Sequence, residues 1–492
     1  MATVSLPDRP SLDQLRNQAR DLQRAVRGGD PEAAAHAAEH GFAGSPRFPL
    51  STAQAVVARH YGFASWPRLV RHLELLDELT REPDTVGELD DPAAEFLRLA
   101  CLTYGEDDPE RHARARRLLA ARPEVARADI FTAAAVADAD EVSRRLTVAP
   151  AQARARGGPH RWAPLLYLAY ARHDPDVTSD AVLATARALL DAGADPDDGY
   201  LWHGLTTPFT VLTGVFGSGE GGPVAQPRHP HDLAFARLLL EAGADPNDGQ
   251  TLYNRMFRPD DSHLELLFEF GLGTGDGGPW RARLGPAGEA PASMLASQLW
   301  WAITHDMVDR VRLLLAHGVD ADGRWRDGRR AVEWAAISGR PAIVALLVEA
   351  GAPPPALDPV DELVAAVRAA DRAAVARLRS ADPAVVDAAR ARRPGLVVAA
   401  AATGRMDAVE VVVDLGFDVN ALGRADAPIE QEWETALHEA AGTGNVALAR
   451  YLLDHGADPD IHDCRFDAPP LGWARHFGQA ETEGLLEPIT TW

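Results

Sequence analysis

Between residues 200 and 305 the chain gathers side chains suited to chemistry: Trp202, His203, Tyr253, Asn254, Arg255, Arg258, Trp280, Trp301 and His305. An imidazole moves protons near neutral pH, and a guanidinium clamps a carboxylate or phosphate. If a reaction is run here, His203, His305, Arg255, Tyr253 and Asp261 are its candidate groups. No nucleophile, carboxylate pair or metal set among them stands at a recognisable spacing. His203, His229 and His231 share no ligand spacing or helix register, so no metal is expected. A literal GxGxxG occurs twice, at Gly217, Gly219 and Gly222 and at Gly273, Gly275 and Gly278. Neither follows a strand or opens a βαβ unit, so neither reads as a dinucleotide site. The turns ADPDDG and ADPNDG lack the glutamate that completes a calcium loop. No cofactor is expected.

The elements that must position these side chains are helices. Alanine dominates and long alternating β-branched runs are missing, which makes the class all-α. Length, 492 residues, suits two domains or an extended array. Lys and Arg total 49 against 72 Asp and Glu, a net charge of −23 that disfavours nucleic acid as a partner. The basic run RHARARR, 111–117, sits beside Glu106, Asp107, Asp108 and Glu110 and reads as a solvated helix face. Two distant cysteines, Cys101 and Cys464, form no zinc or disulfide pattern and suit a reducing cytosol. The first residues lack signal-peptide character, and no stretch approaches 18 apolar residues, so a cytoplasmic protein without membrane contact is expected.

One unit recurs: an apolar helix ending in Leu-Leu, then an acidic residue, Ala-Gly-Ala-Asp-Pro and a turn. It stands at 189–198, 239–248, 314–323 and 452–461, with weaker copies at 346–355 and 412–421. Glycine fits a helix C-cap with positive φ, and Asp-Pro suits the reversal after it. From Gly318 to Gly351 is 33 residues, and TALHEAAGTGNVALARYLLDHGADPD, 435–460, carries both halves of the unit. These residues resemble the ankyrin-repeat family over roughly 90–487. The resemblance implies an α-solenoid of helix-turn-helix repeats that binds other proteins and carries no chemistry of its own. Residues 93–160 read as degenerate repeats, 161–323 as central repeats with insertions, and 324–492 as C-terminal repeats with a cap. Residues 1–80 read as a helical N-terminal domain, similar to leaders of bacterial ankyrin-repeat proteins, with 81–92 as a linker. In that domain Phe63 and Trp66 suit a small core or a docking surface.

Two intervals exceed the repeat. Gly193 to Gly243 spans 50 residues and Gly243 to Gly318 spans 75, which places insertions in YLWHGLTTPF, in 217–232 and in 273–291. Taking TALHEAA as the register, Leu437, Ala440 and Ala441 face inward and Glu439 faces the concave groove. Transferred to the other repeats, the groove column reads Tyr167 and Tyr170; Val211; Arg255 and Arg258; Trp301, Thr304 and His305; Trp334; Ala399; Glu439. In this register TLYNRMF, 251–257, buries Tyr253 and Phe257 and turns Arg255 to the groove beside Trp301. Tryptophan and arginine dominate binding hot spots, so the column and loops are expected to grip a partner protein or peptide. A pocket under loops 217–232 and 273–291, for a small molecule carrying a carboxylate or aromatic group or for a reaction, is the alternative. Trp202, Trp280 and Trp300 are read rather as packing of the insertions, whereas Arg255, Trp301 and Trp334 suit packing and binding equally.

Overall fold

Each repeat turn is built by its sequence. In the computed structural model, which describes residues 6–7, 10–42, 47–105, 107–325, 328–424 and 431–492, Gly193 and Gly456 adopt φ of 92° and 91°. The Gly456 amide donates to Leu453 O at 3.0 Å and the Ala457 amide to Leu452 O at 2.9 Å, closing the last helical turn. The aspartate that follows folds the reversal: Asp458 Oδ1 accepts the Asp460 amide at 2.9 Å. Asp195, Asp245, Asp320 and Asp418 repeat that bond two residues on. Next comes a capped inner helix. The side chain of Thr435 caps Ala436–Gly442 together with His438, whose Nδ1 receives the Thr435 amide and whose Nε2 donates to Ala468 O at 3.0 Å.

The chain is all-α apart from short strands, and it divides into two compact units, Met1–Leu295 and Ala296–Trp492. In the first unit the inner helices Pro92–Ala100, Ile130–Ala135, Pro164–Tyr170, Val211–Phe216 and Gly249–Met256 stack in order. Behind them stack Ala139–Val148, Ser179–Asp191, Asp232–Glu241 and Ser262–Glu269. The second unit stacks Ala331–Ile337, Pro359–Arg368, Leu396–Ala401, Ala436–Gly442 and Pro470–His476 in the same way, around a core from Ile337 to Leu486. This two-layer stacking is the ankyrin-type solenoid.

The N-terminal helices α1 (Leu12–Arg27), α2 (Pro31–Glu39), α3 (Leu50–His60) and α4 (Trp66–Leu79) enclose a separate small core of Leu15, Ala19, Val56 and Leu69. Phe63 and Trp66 pack in that core. Residues 81–85, expected within a linker, are structured: β1 (Thr80–Arg81) pairs in parallel with β2 (Gly199–Trp202), and a 3-10 turn follows. β2 pairs antiparallel with β3 (Pro208–Thr210), with Tyr200 opposite Phe209. The first insertion is therefore a hairpin rather than a loop, and it holds the leader to the repeats of its own unit.

Candidate recognition surface

The N-cap of each inner helix decides which side chains reach the groove. In Ala436–Gly442 the expectation holds: Leu437, Ala440 and Ala441 are buried and Glu439 is partly open. Counted from the cap, Tyr167 and Tyr170 hold groove positions on Pro164–Tyr170, yet both are fully buried. The Tyr167 hydroxyl donates to Gly157 O at 2.8 Å and accepts the His160 amide at 3.2 Å. The Tyr170 hydroxyl donates to Thr210 O at 2.9 Å, and its ring lies 4.9 Å from Trp162 and 6.0 Å from Tyr200. The bend at Gly157–Trp162 and the β2–β3 hairpin thus cover both tyrosines, and neither is open to a partner. Val211 is one residue past its Thr210 cap and is also buried, which leaves Gly214 at the groove position, pressed against the Tyr170 ring. Ala399, on Leu396–Ala401, is buried as well.

TLYNRMF departs furthest from expectation. Its cap is Asp248, whose carboxylate accepts the Thr251 amide at 2.9 Å and the Thr210 hydroxyl, so the helix starts three residues earlier than Thr251 as cap implies. Leu252 is buried, Tyr253 is 38% exposed, and Arg255 is only 2% exposed. Tyr253 donates to Glu220 of the glycine loop, and half-buried Phe257 meets its ring edge-on at 5.3 Å. Asn254 is buried and accepts from Gln250 at 2.8 Å. Arg255 donates to Asp260 Oδ2 at 2.8 Å and lies 3.7 Å from Asp232. Burial lowers its pKa against the pull of those carboxylates. Arg255 braces the repeat; Arg258, at the end of the segment, is exposed.

The insertions are tied down by their polar tips. Trp202 Nε1 donates to Thr103 O at 2.9 Å, and His203 Nε2 lies 2.8 Å from Asp84 Oδ1. Trp280 is buried, donates to Asp197 O at 2.8 Å and packs with Leu79, Leu201 and Leu284. Arg172, which the sequence reading passed over, is buried and donates to Pro227 O and Gly214 O, with Ala169 O and Ala171 O as further acceptors. It anchors loop 217–232 from beneath, and burial lowers its pKa to about 10. Its only sequence signal is a cation directly after an apolar inner helix. The solvated-face reading of 111–117 also needs correction at Arg111, which meets buried Asp107 at 2.6 Å and Thr103 Oγ1 at 3.0 Å. Glu106 lies outside the described residues.

His203, Arg255 and Tyr253 are each engaged by an acidic neighbour, and Asp261 is half-buried ahead of Ser262–Glu269. His203, His229 and His231 do not gather into a ligand set: His231 Nε2 donates to Val177 O, and buried His229 Nδ1 accepts the His231 amide at 3.2 Å. A polar cleft of ≈ 390 Å³ lies among Asp84, Glu88, Arg98, Arg111 and Arg114. A second, of ≈ 490 Å³, runs between α4 and residues 282–285, lined by Arg68, Arg71, Arg283, Phe63, Leu75 and Leu284.

The second unit presents its aromatic and cationic groups differently. Exposed His305 stacks on half-exposed Trp301 at 3.7 Å. Trp334 holds its groove position but is buried, because Trp300 lies 5.4 Å away, Arg329 sits 5.6 Å over the ring, and Nε1 donates to Thr304 Oγ1 at 3.1 Å. Trp325, next to the Arg324–Arg330 bridge, packs on Trp300 at 4.8 Å.

Residues beside the Gly423–Glu434 bridge and in the turn of 463–468 carry a column that the sequence reading missed. Trp433, beside the Gly423–Glu434 bridge, lies between the guanidinium groups of Arg424 at 3.6 Å and Arg465 at 4.5 Å. Arg465 also sits 5.0 Å over Phe466, which is 64% exposed. The two segments are joined where the Cys464 amide donates to Trp433 O at 2.9 Å. Buried Asp463 accepts the amides of Arg465 and Phe466 at 2.8 and 2.6 Å and the Trp473 indole at 3.0 Å. Burial opposes its ionisation, but these donors outweigh burial and hold the carboxyl below its ordinary range. The signal was available as Arg and aromatic residues in the turns just before each inner helix.

Among the described residues no helix is long and apolar enough to cross a membrane. Residues 299–353 match a family model of ankyrin repeats in many copies, and residues 363–474 match one of ankyrin repeats in three copies. Both matches fall on the stacked helix pairs described above, and repeats of this kind serve as protein-interaction modules. Residues 299–353 and 363–474 of the chain are ankyrin repeats.

Proposed function

We propose that this chain is a non-catalytic recognition protein that binds an acidic segment of a partner protein through Arg424 and Trp433, beside the Gly423–Glu434 bridge, and the turn of residues 463–468. The observation that carries this reading is the Arg424–Trp433–Arg465–Phe466 column, an outward cationic and aromatic patch on a chain of net charge −23. Arginine and aromatic groups supply the directional donors and contact area of hot spots. The Asp463 bonds hold the turn in place beforehand, so little ordering entropy is lost on binding. His305 and Trp301 offer a second exposed contact in the same unit. The central loops of the first unit serve as packing, with Arg258 and Tyr253 left at its surface.

The test compares affinity capture by the wild-type chain with capture by Arg465→Glu/Phe466→Ser, each quantified by mass spectrometry. Proteins retained by the wild type and lost by the variant, at unchanged melting temperature, support the reading. Identical capture by both sinks it.

A second reading rests on the ≈ 490 Å³ cleft, whose three arginines surround an apolar floor. That chemistry suits a small molecule with a carboxylate head and an apolar body. Arg71→Glu should abolish a stabilisation by medium-chain carboxylates; absence of any such stabilisation removes this reading.

A further inference from the structure

The N-terminal helices hold a cluster that no function above uses. His36 lies on α2 and His40 is the residue that caps its C-terminus, four positions further on. His60 is the last residue of α3. The three ring centroids are separated by 4.9, 5.0 and 5.6 Å, at interplanar angles of 76°, 72° and 86°. One ligand nitrogen from each lies within 4.8 Å of the other two, the one such group of metal-binding side chains among the described residues. Three imidazoles on one tetrahedral zinc ion, with Zn–N near 2.0–2.1 Å, set their ring centres about 5 Å apart. The ring-centre separations therefore match those of a loaded site, and the nitrogens, up to 4.8 Å apart, converge to the roughly 3.3 Å of a tetrahedral ion by turning the rings.

A second observation points the same way. His40 is 3% exposed, and its Nδ1 is buried without a hydrogen-bond partner. A buried imidazole nitrogen left unpaired is costly unless something occupies it. His36 and His60 are half-buried, so the cluster opens to solvent on their side.

We propose that His36, His40 and His60 form a binding site for a zinc-type divalent cation, with the fourth position open to solvent. Imidazole donors suit zinc, copper and nickel rather than magnesium or calcium. Burial, followed by the mutual repulsion of the cluster, lowers the pKa of His40 and of His60 and keeps both rings neutral and able to donate at neutral pH. The cation joins α2 to α3 across a small core, where a metal clip adds most to stability. This site belongs to the N-terminal helices, and its test is independent of the proposed partner surface of the second unit.

The test is titration of the untagged full chain with Zn²⁺ alone by calorimetry, with Co²⁺ as a spectroscopic probe. One ion per chain is expected, with the intense visible bands of four-coordinate Co²⁺. His36→Gln and His60→Gln, at half-buried positions, should each weaken binding by at least roughly tenfold while the far-ultraviolet dichroism stays unchanged. The Co²⁺ spectrum of the wild type gives an independent reading should a variant misfold. No bound ion, a weak six-coordinate Co²⁺ spectrum, or undiminished binding in the folded variants overturns the proposal.

Discussion

Replacing Asp260 by Asn removes the nearer counter-charge of a guanidinium that cannot reach bulk water. Arg255 is 2% exposed, its link to Asp260 is 2.8 Å, and its NH1 keeps only the 3.7 Å approach to Asp232. At Asp260 burial is outweighed by the Ser262 hydroxyl and amide and by the Arg255 and Arg228 charges, which bring the carboxyl to about 2. Against an ordinary aspartate near 3.9, that shift corresponds to at most about 2.6 kcal/mol. The Asp260 side chain is 42% exposed, so solvent screening reduces its share to about 1 kcal/mol. Stranding the buried cation adds to this, up to the ~3–5 kcal/mol seen when a fully buried pair is broken.

Asp260→Asn should therefore cost about 1–3 kcal/mol, whereas Arg255→Met, which keeps the stem and removes the charge, should cost less. In the double variant Met at 255 should recover part of the loss. The assay is hydrogen exchange of Gly249–Met256 and Ser262–Glu269 in rising urea, because a chain of two units does not unfold in one step. The folded pKa is depressed, so the pair's contribution is present above pH ~4 and fades as pH falls toward 2; Asp260→Asn should lack that slope. Unchanged protection in Asp260→Asn, or no recovery in the double variant, refutes the idea that Arg255 is a buried, counter-charged brace.

Asp197 is held at about 6 by burial and by the Asp195, Asp245 and Asp248 charges, against one favourable amide. Its ionised form destabilises the fold, so stability should rise as pH drops from about 6 to 4, and Asp197→Asn should gain about 1–3 kcal/mol at pH 8 and flatten that rise; denaturation at several pH values checks this. Gly214→Ala drives a Cβ to within 2.2 Å of the buried Tyr170 ring, and the melting temperature should fall by the equivalent of about 1–3 kcal/mol of overpacking. Cys464 is exposed, while burial pushes the Cys101 thiol up to about 12. A thiol reagent should therefore modify Cys464 alone in the native protein and both cysteines in denaturant.

The repeats were legible because their signals are local. A glycine at positive φ, an aspartate bonding two residues on and a threonine cap each act within a few residues, and their recurrence sets the array. The groove register was legible only where the cap was recognised. Asp248 in place of threonine moved the start of Gly249–Met256 by three residues, close to one 3.6-residue turn, so that shift alone does not set the faces; Arg255 is buried where Asp260 and Asp232 meet it, and Tyr253 is left outward against Glu220. What covers a surface is set by segments distant in sequence. Thr80–Arg81 pairing with Leu201–Trp202, Thr210 meeting Tyr170, and Trp433 lying between Arg424 and Arg465 follow from chain reversals that no single stretch encodes. The gathering of His36, His40 and His60 is of the same kind: α2 and its C-terminal cap supply the first two by themselves, and only packing around the α1–α3 core brings the third ring to 5.0 Å. Sequence determined the repeating unit, since caps and turns are short-range. Tertiary structure decided which side chains are open to bind, since burial depends on neighbours the chain meets only after folding.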